Sequence, residues 1–394
     1  MFHVGGELAP DSSFYVEREA DRQALRALLD MAYIYLQAPR QQGTTSLIKR
    51  LIKHPLLTNL VFAYLDMTSL DWTNEAQWYW SFYNQLTRSQ QIQQWITPEW
   101  IHYSLDLSGC HQCLTNIAQK ANADEKNVVI ALDKFGVVWK EWGSSFLSLL
   151  RSLYNARPIK PELKRLTFII AGPFIPENLT EQIETSPFNV SVNLQLNDFS
   201  EDQVRLLLKA LNYWDERNAL LSKRIWYWTS GQPYLTQLIC HHLSQQKHIP
   251  NTEDIDRLAR NLPTEDQEHI VPFLDRLTSD QKLVEYIKRI QAGQQIRYTP
   301  RYNRRQRQLE LLGVLKADAS GYCMIRNRIY EQALLAADTP EPALIIAGAQ
   351  ESAPTPKASP ASLADEDEDK SAPTIAIIHY RPAQRTGCDE SDAR

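Results

Sequence analysis

Through about the first three hundred residues, short runs of β-branched and apolar side chains alternate with longer stretches of helical periodicity. The runs at 32–37, 60–66, 127–133 and 166–172 predict strands; 45–54, 73–88 and 144–157 predict helices, the second opened by the capping-box-like Thr73-Asn-Glu-Ala. Strands that are apolar throughout, separated by helices, are what a parallel sheet covered on both faces requires. From about Asp198 the pattern turns helical. Ser200-Glu-Asp-Gln203 caps a helix running to 211, and another helix follows Pro233. Across 280–330 come further helical segments and then 313–325, which reads as a two-stranded hairpin turned at 319–321.

Composition adds a boundary. After about Ala337 the chain becomes rich in Pro, Ala, Ser and acid, with the run Asp365-Glu-Asp-Glu-Asp369. Such a stretch buries too little apolar surface to offset its ordering entropy, so 338–394 is expected to be a disordered tail. Within it Thr374-Ile-Ala-Ile-Ile-His-Tyr380 is a β-prone island. It reads either as a peptide that adds a strand to a partner's sheet or as a chance apolar patch. The whole chain has 394 residues, 43% of them apolar, and a net charge of -5. That balance excludes wholesale attraction to nucleic acid or an anionic membrane. No apolar run approaches the roughly 20 residues of a membrane span, no signal pattern opens the chain, and five scattered cysteines form no disulfide framework. A cytoplasmic protein is expected.

Chemistry concentrates where the first strand ends, in Gln37-Ala-Pro-Arg-Gln-Gln-Gly-Thr-Thr-Ser46. A strand, a tight turn and a helix start together make a phosphate cradle from backbone amides. The usual pattern is G-x-x-x-x-G-K-[ST], with the lysine on the phosphates and the hydroxyl on magnesium. Here Ala38 replaces the first glycine, Gly43 keeps the second, Thr44 replaces the lysine, Thr45 keeps the hydroxyl, and Arg40 adds a nearby cation. The strand at 127–133 ends in Asp133, suited to magnesium, but Lys134 follows where a hydrolytic site would carry a glutamate. A cation there neither accepts a proton nor orients water as a carboxylate does. The alternative is an active ATPase with rearranged charges, Lys134 reaching the phosphates in place of the missing lysine.

Beyond this loop the chain resembles the bacterial AAA-like domain family, a branch of the STAND-type signalling NTPases. The likeness runs through most of the first 330 residues: Gly5-Gly-Glu-Leu-Ala-Pro10, Tyr15-Val-Glu-Arg18, Pro39-Arg-Gln-Gln-Gly43, Leu65-Asp-Met-Thr68, Glu75-Ala-Gln-Trp-Tyr79, Arg165-Leu-Thr-Phe168, Ser186-Pro-Phe-Asn189 and Trp228-Thr-Ser-Gly-Gln-Pro-Tyr-Leu-Thr-Gln237. The resemblance implies a P-loop sheet domain over 1–197, a helical lid over 198–265 and a winged helix over 266–337. It implies a switch controlled by ATP or ADP with magnesium that gates an effector, supplied here as a separate protein. Tyr15, Val16 and Arg18 would border the base and ribose, Gly43, Thr44, Thr45 and Ser46 the phosphates, Asp133 and Thr45 the metal; Pro233 would belong to the lid. With Thr44 and Lys134 substituted, the expectation is a degenerate member with weak or no nucleotide binding, a regulatory or scaffolding pseudo-ATPase.

Two other clusters stand out. Arg297-Tyr-Thr-Pro-Arg-Tyr-Asn-Arg-Arg-Gln-Arg307 lies where a winged helix holds its recognition helix. Arg301, Arg304, Arg305 and Arg307, with Tyr298 and Tyr302, are candidates for DNA contact; packing on the ATPase core or pairing with the acidic tail is the competing reading. Cys110-His-Gln-Cys113 and Cys240-His-His242 are read as packed apolar residues in helices rather than a zinc site, which would show paired clusters at set spacing.

Overall fold

The computed structural model describes residues 5–96, 103–136, 141–174, 186–211, 215–266 and 269–338. The acidic run and the island at 374–380 lie outside them. Five parallel strands form the central sheet: β1 (Ile34–Gln37), β2 (Leu60–Asp66), β3 (Asn127–Asp133), β4 (Leu166–Gly172) and β5 (Val192–Gln195), in the order β2-β3-β4-β1-β5. Tyr35 of β1 stands opposite Ile170 of β4 and Asn193 of β5, and Leu132 of β3 opposite Ile170. β2, β3 and β4 have the bounds their apolar runs predict; β1 begins at Ile34 rather than 32, and β5 is an addition. Its four residues expose all but Leu194, so no apolar run marks it.

Helices α1 (Glu19–Leu29) and α2 (Thr44–Ile52) cover one face of the sheet, and α3 (Glu75–Leu86), α4 (Gln90–Ile96), α5 (Leu107–Ala123) and α6 (Glu141–Ala156) cover the other. Alternation along each strand feeds both layers: Val128, Ile130 and Leu132 pack with α3–α6, while Val129 and Ala131 pack with α1 and α2. The start of α3 corrects the capping expectation. Asn74, not Thr73, is the cap, its side chain accepting from the Gln77 amide at 2.9 Å. Thr73 is instead held by Asp71.

Past the sheet come α7 (Glu201–Leu208), α8 (Asp215–Thr229), α9 (Pro233–Ser244) and α10 (Thr252–Glu265), then α11 (Ile270–Thr278), α12 (Gln281–Gln291), α13 (Arg304–Leu311), the antiparallel pair β6 (Leu315–Ala317) and β7 (Cys323–Ile325), and α14 (Arg328–Asp338). Ser200 and Gln203 cap α7 reciprocally, as their spacing predicts. One hydrophobic cluster, including Val204, Ile239, Phe273, Leu309 and Ile329, runs through α7–α14 and takes in Val16 from the N-terminal stretch. Gln232, ahead of α9, donates to the Gln41 carbonyl at 3.4 Å, which ties these helices to the loop that follows β1.

Candidate functional site

The C-terminal ends of β1, β3 and β4 converge, and the chain leaving β1 turns through Ala38 to Gly43 before entering α2. Gly43 sits at φ +85, a left-handed conformation that side chains rarely adopt, and a Cβ there would lie 3.3 Å from the Arg18 guanidinium. Arg18 is buried. It donates to the carbonyls of Gln42 at 2.8 Å and Asn197 at 3.4 Å and lies over the Phe199 ring, so it buttresses the loop from behind while lining the site. Gln42 donates to Asp198, which accepts from Arg326 at 2.8 Å, tying the loop to the end of β7. Ser46 accepts from the Leu8 amide at 3.0 Å, drawing the segment at 5–10 across the start of α2.

Two cavities flank the loop and share Gly6, Gln41, Gly43 and Ser46. The smaller, of about 100 Å³, is bordered by Tyr15, Val16, Arg18, Phe199, Pro233 and Gln237. The larger, of about 460 Å³, is bordered by Arg40, Thr44, Thr45, Asp133 and Lys134, and by Glu7, His269 and Arg276. Every residue singled out for the base or the phosphates thus lines one of these two spaces. Pro233 is delivered by a turn whose Gly231 has φ +77 and allows no side chain, since its Cβ would meet the Phe199 carbonyl at 1.8 Å. Tyr15 donates to Asp21 and receives the Arg50 guanidinium on its ring face, which fixes its orientation.

At the phosphate end Asp133 is nearly fully buried and accepts from Thr45 Oγ1 at 2.5 Å, Tyr64 OH at 2.9 Å and the Lys134 amide at 2.9 Å. Burial holds its carboxyl above the ordinary carboxylate range, against the hydrogen bonds from Thr45 and Tyr64. Lys134 turns its ammonium onto Asp66 at 2.6 Å, a hydrogen bond that raises its pKa. Lys49 pairs with Glu7 in the same way. Both carboxylates beside the cavity therefore already have a cation. His269, buried against Tyr330 with Nε2 and OH 2.5 Å apart, titrates at about 3 because of burial and then the Arg276 charge; at neutral pH its ring is uncharged.

A phosphate loop of this kind implies magnesium, and Thr45 and Asp133 are the residues that would hold it. The donor set fits such an ion poorly. Magnesium takes octahedral geometry and, at phosphate sites, one or two carboxylates, with waters and phosphate oxygens completing the set. Both Asp133 oxygens accept from protein donors, the Thr45 hydroxyl is spent on one of them, and Asp66 and Glu7 are paired with lysines. Among the described residues no group of three His, Cys, Asp or Glu could hold a metal ion.

Elsewhere the arginine cluster divides. Arg301, Arg304 and Arg305 are exposed, and Tyr302 is 86% exposed. Arg307 is committed to Glu310 at 2.5 Å, and Tyr298 turns inward to donate to the same carboxylate at 2.7 Å. Cys110, Cys113 and Cys240 are buried free thiols, the Cys113 thiol pushed up to about 12 by burial, as packed apolar residues would be. No described helix is long and apolar enough to cross a membrane.

Sequence reasoning did not single out Tyr64, Asp66, His269 or Arg276. Tyr64 and Asp66 left a trace, as polar positions in an otherwise apolar strand; nothing local marks the other two.

The model of a protein family described as AAA-like domain matches residues 3–335. A stretch of 207 residues is 28% identical to an uncharacterized WD repeat-containing protein of Synechocystis sp., covering 50% of this chain and 17% of that one. The chain thus spans a small part of that relative. Among solved structures, the Walker-type ATPase PABY2304 of Pyrococcus abyssi has a TM-score of 0.59 at 12% identity, over 82% of this chain and 96% of that chain, a likeness of fold. The ORC2 protein of Aeropyrum pernix in its ADP form, at a TM-score of 0.44 and 12% identity over 85% of this chain and 96% of that one, is too loosely similar to bear on the site.

Proposed function

We propose that this chain, which belongs to the AAA-like domain family, is a nucleotide-responsive regulatory or scaffolding subunit that binds ATP or ADP weakly and does not hydrolyse it efficiently. The observation that carries this reading is the Lys134–Asp66 ion pair of 2.6 Å at the mouth of the phosphate cavity. Where a hydrolytic site needs a free carboxylate to orient water, this one has an ammonium already neutralised by its neighbour. Thr44 removes the loop lysine in the same space. The cradle itself is complete, so binding is retained in weakened form and chemistry is lost. Effector action then falls to a separate signalling partner. The Synechocystis relative, a far longer WD repeat-containing protein, supports a domain of this kind working alongside other parts of a signalling assembly. Isothermal titration of the full chain with ADP and ATP, alongside a turnover assay, tests the proposal. Micromolar to millimolar binding without turnover is expected; sustained magnesium-dependent hydrolysis sinks it, and loss of that hydrolysis in Lys134→Ala would establish the rearranged-charge ATPase instead.

A second reading is a winged-helix DNA-binding regulator, favoured by one observation: the exposed Arg301, Tyr302, Arg304 and Arg305 at and before the start of α13. A mobility-shift titration across salt, comparing the natural chain with Arg304→Ala/Arg305→Ala, decides it; the same weak or absent shift in both ends this reading.

A further inference from the structure

Arg40, from the loop, and Arg276, from α11, reach the same cavity from segments far apart in the chain. Among the described residues no ion pair or hydrogen bond engages either guanidinium, whereas Lys49, Lys134, Glu7 and Asp66 beside them are all matched. The two cations feel each other: partial burial and then the charge of Arg276 lower the pKa of Arg40. An unmatched like-charge pair facing the amides at the start of α2 holds surplus positive charge in a space already sized for phosphates. Of the two carboxylates that line the cavity, Glu7 is paired with Lys49 and both oxygens of Asp133 accept from protein donors.

We infer that Arg40 and Arg276 form a guanidinium clamp that binds the diphosphate of a nucleotide directly, so that ligand binding at this site needs no metal ion. The inference rests on the nucleotide-binding reading above and gives it a mechanism. Two guanidinium forks supply planar, bidentate donors to phosphate oxygens, taking over the neutralisation that a loop lysine and a magnesium ion share elsewhere. Because Arg276 belongs to α11 while Arg40 belongs to the loop after β1, a bound diphosphate also bridges these two parts of the molecule. Neutral His269, next to Arg276 in the wall of the cavity, adds no competing charge.

Titration calorimetry of the full chain with ADP and with inorganic pyrophosphate, each in excess magnesium chloride and in EDTA, tests it. The expected result is an ADP affinity within about twofold between the two conditions, pyrophosphate binding in EDTA, and losses of about tenfold in each of Arg40→Ala and Arg276→Ala. Both side chains are exposed, so these variants fold; matched unfolding curves confirm it. ADP affinity that rises more than tenfold with magnesium, or that survives both substitutions, overturns the clamp while leaving nucleotide binding in place. If neither ADP nor pyrophosphate binds in any condition, the clamp and the nucleotide-binding reading fall together.

Discussion

The two cavities beside the loop, here proposed as a base end and a phosphate end, share Gly43 and Ser46 but are built on opposite terms. At the base end, side chains are pinned by contacts that leave little freedom: Arg18 to two carbonyls, Tyr15 between Asp21 and Arg50, and the Gly231 turn against Phe199. At the phosphate end the backbone is just as well defined, yet Thr44 and Lys134 stand where the usual pattern has a lysine and a glutamate, and Lys134 has found a partner in Asp66. Geometry and electrostatics have therefore separated within one site. A fold keeps its backbone cradle through packing, which many residues enforce together, while a catalytic charge rests on single side chains that can change alone.

The contrast can be broken from either side. The largest effect is expected at the base end: Gly231→Ala sets a methyl group 1.8 Å from a carbonyl oxygen in a left-handed turn and should cost about 3 kcal/mol, read as a lowered urea midpoint. Only slight destabilisation would show that this turn adapts and that the base end is less constrained than its contacts imply.

Next comes the pH dependence of stability from His269. Its folded pKa of about 3 lies below the ordinary 6.5, so the neutral ring's contribution is complete above 6.5 and is lost as pH falls from 6.5 toward 3. At pH 5 this amounts to a loss on the order of 2 kcal/mol, which His269→Phe should remove, flattening the unfolding profile between pH 7 and 5. An unchanged slope in the variant refutes the assignment.

At the phosphate end, restoring both charges in Thr44→Lys/Lys134→Glu should strengthen ATP binding in magnesium about tenfold by calorimetry, about 1.4 kcal/mol. No gain would mean that the cradle, and not only its charges, has been lost. The smallest effect belongs to Lys134→Ala. The Lys134 side chain is 46% exposed, so solvent screening limits its ion pair to under about 1 kcal/mol in a denaturant titration.

Much of the scaffold was legible in the chain. Strands β3 and β4 are buried enough to demand unbroken apolar runs, and β2, though half-buried at the sheet edge, keeps enough apolar positions for its limits to follow as well. The loop was legible from Gly43, Thr45 and Asp133 because strand, turn and acidic strand end stand at fixed places relative to one another. β5 was not, since an edge strand with one buried residue carries almost no pattern. The cap of α3 was misplaced by one residue because Thr73 and Asn74 are both good caps, and only the direction of the chain at Asp71 decides between them.

By itself the sequence determined the parallel sheet, the phosphate loop and the two substituted positions, Thr44 and Lys134, because periodicity and motif spacing are local properties of the chain. Only the tertiary structure decided which groups stand beside those positions. It set Lys134 on Asp66, saturated Asp133 with Tyr64 and Thr45, and brought Arg276 from α11 into the cavity of Arg40. Charge acts through space, and the distances that govern it are fixed by packing between segments that no local pattern connects.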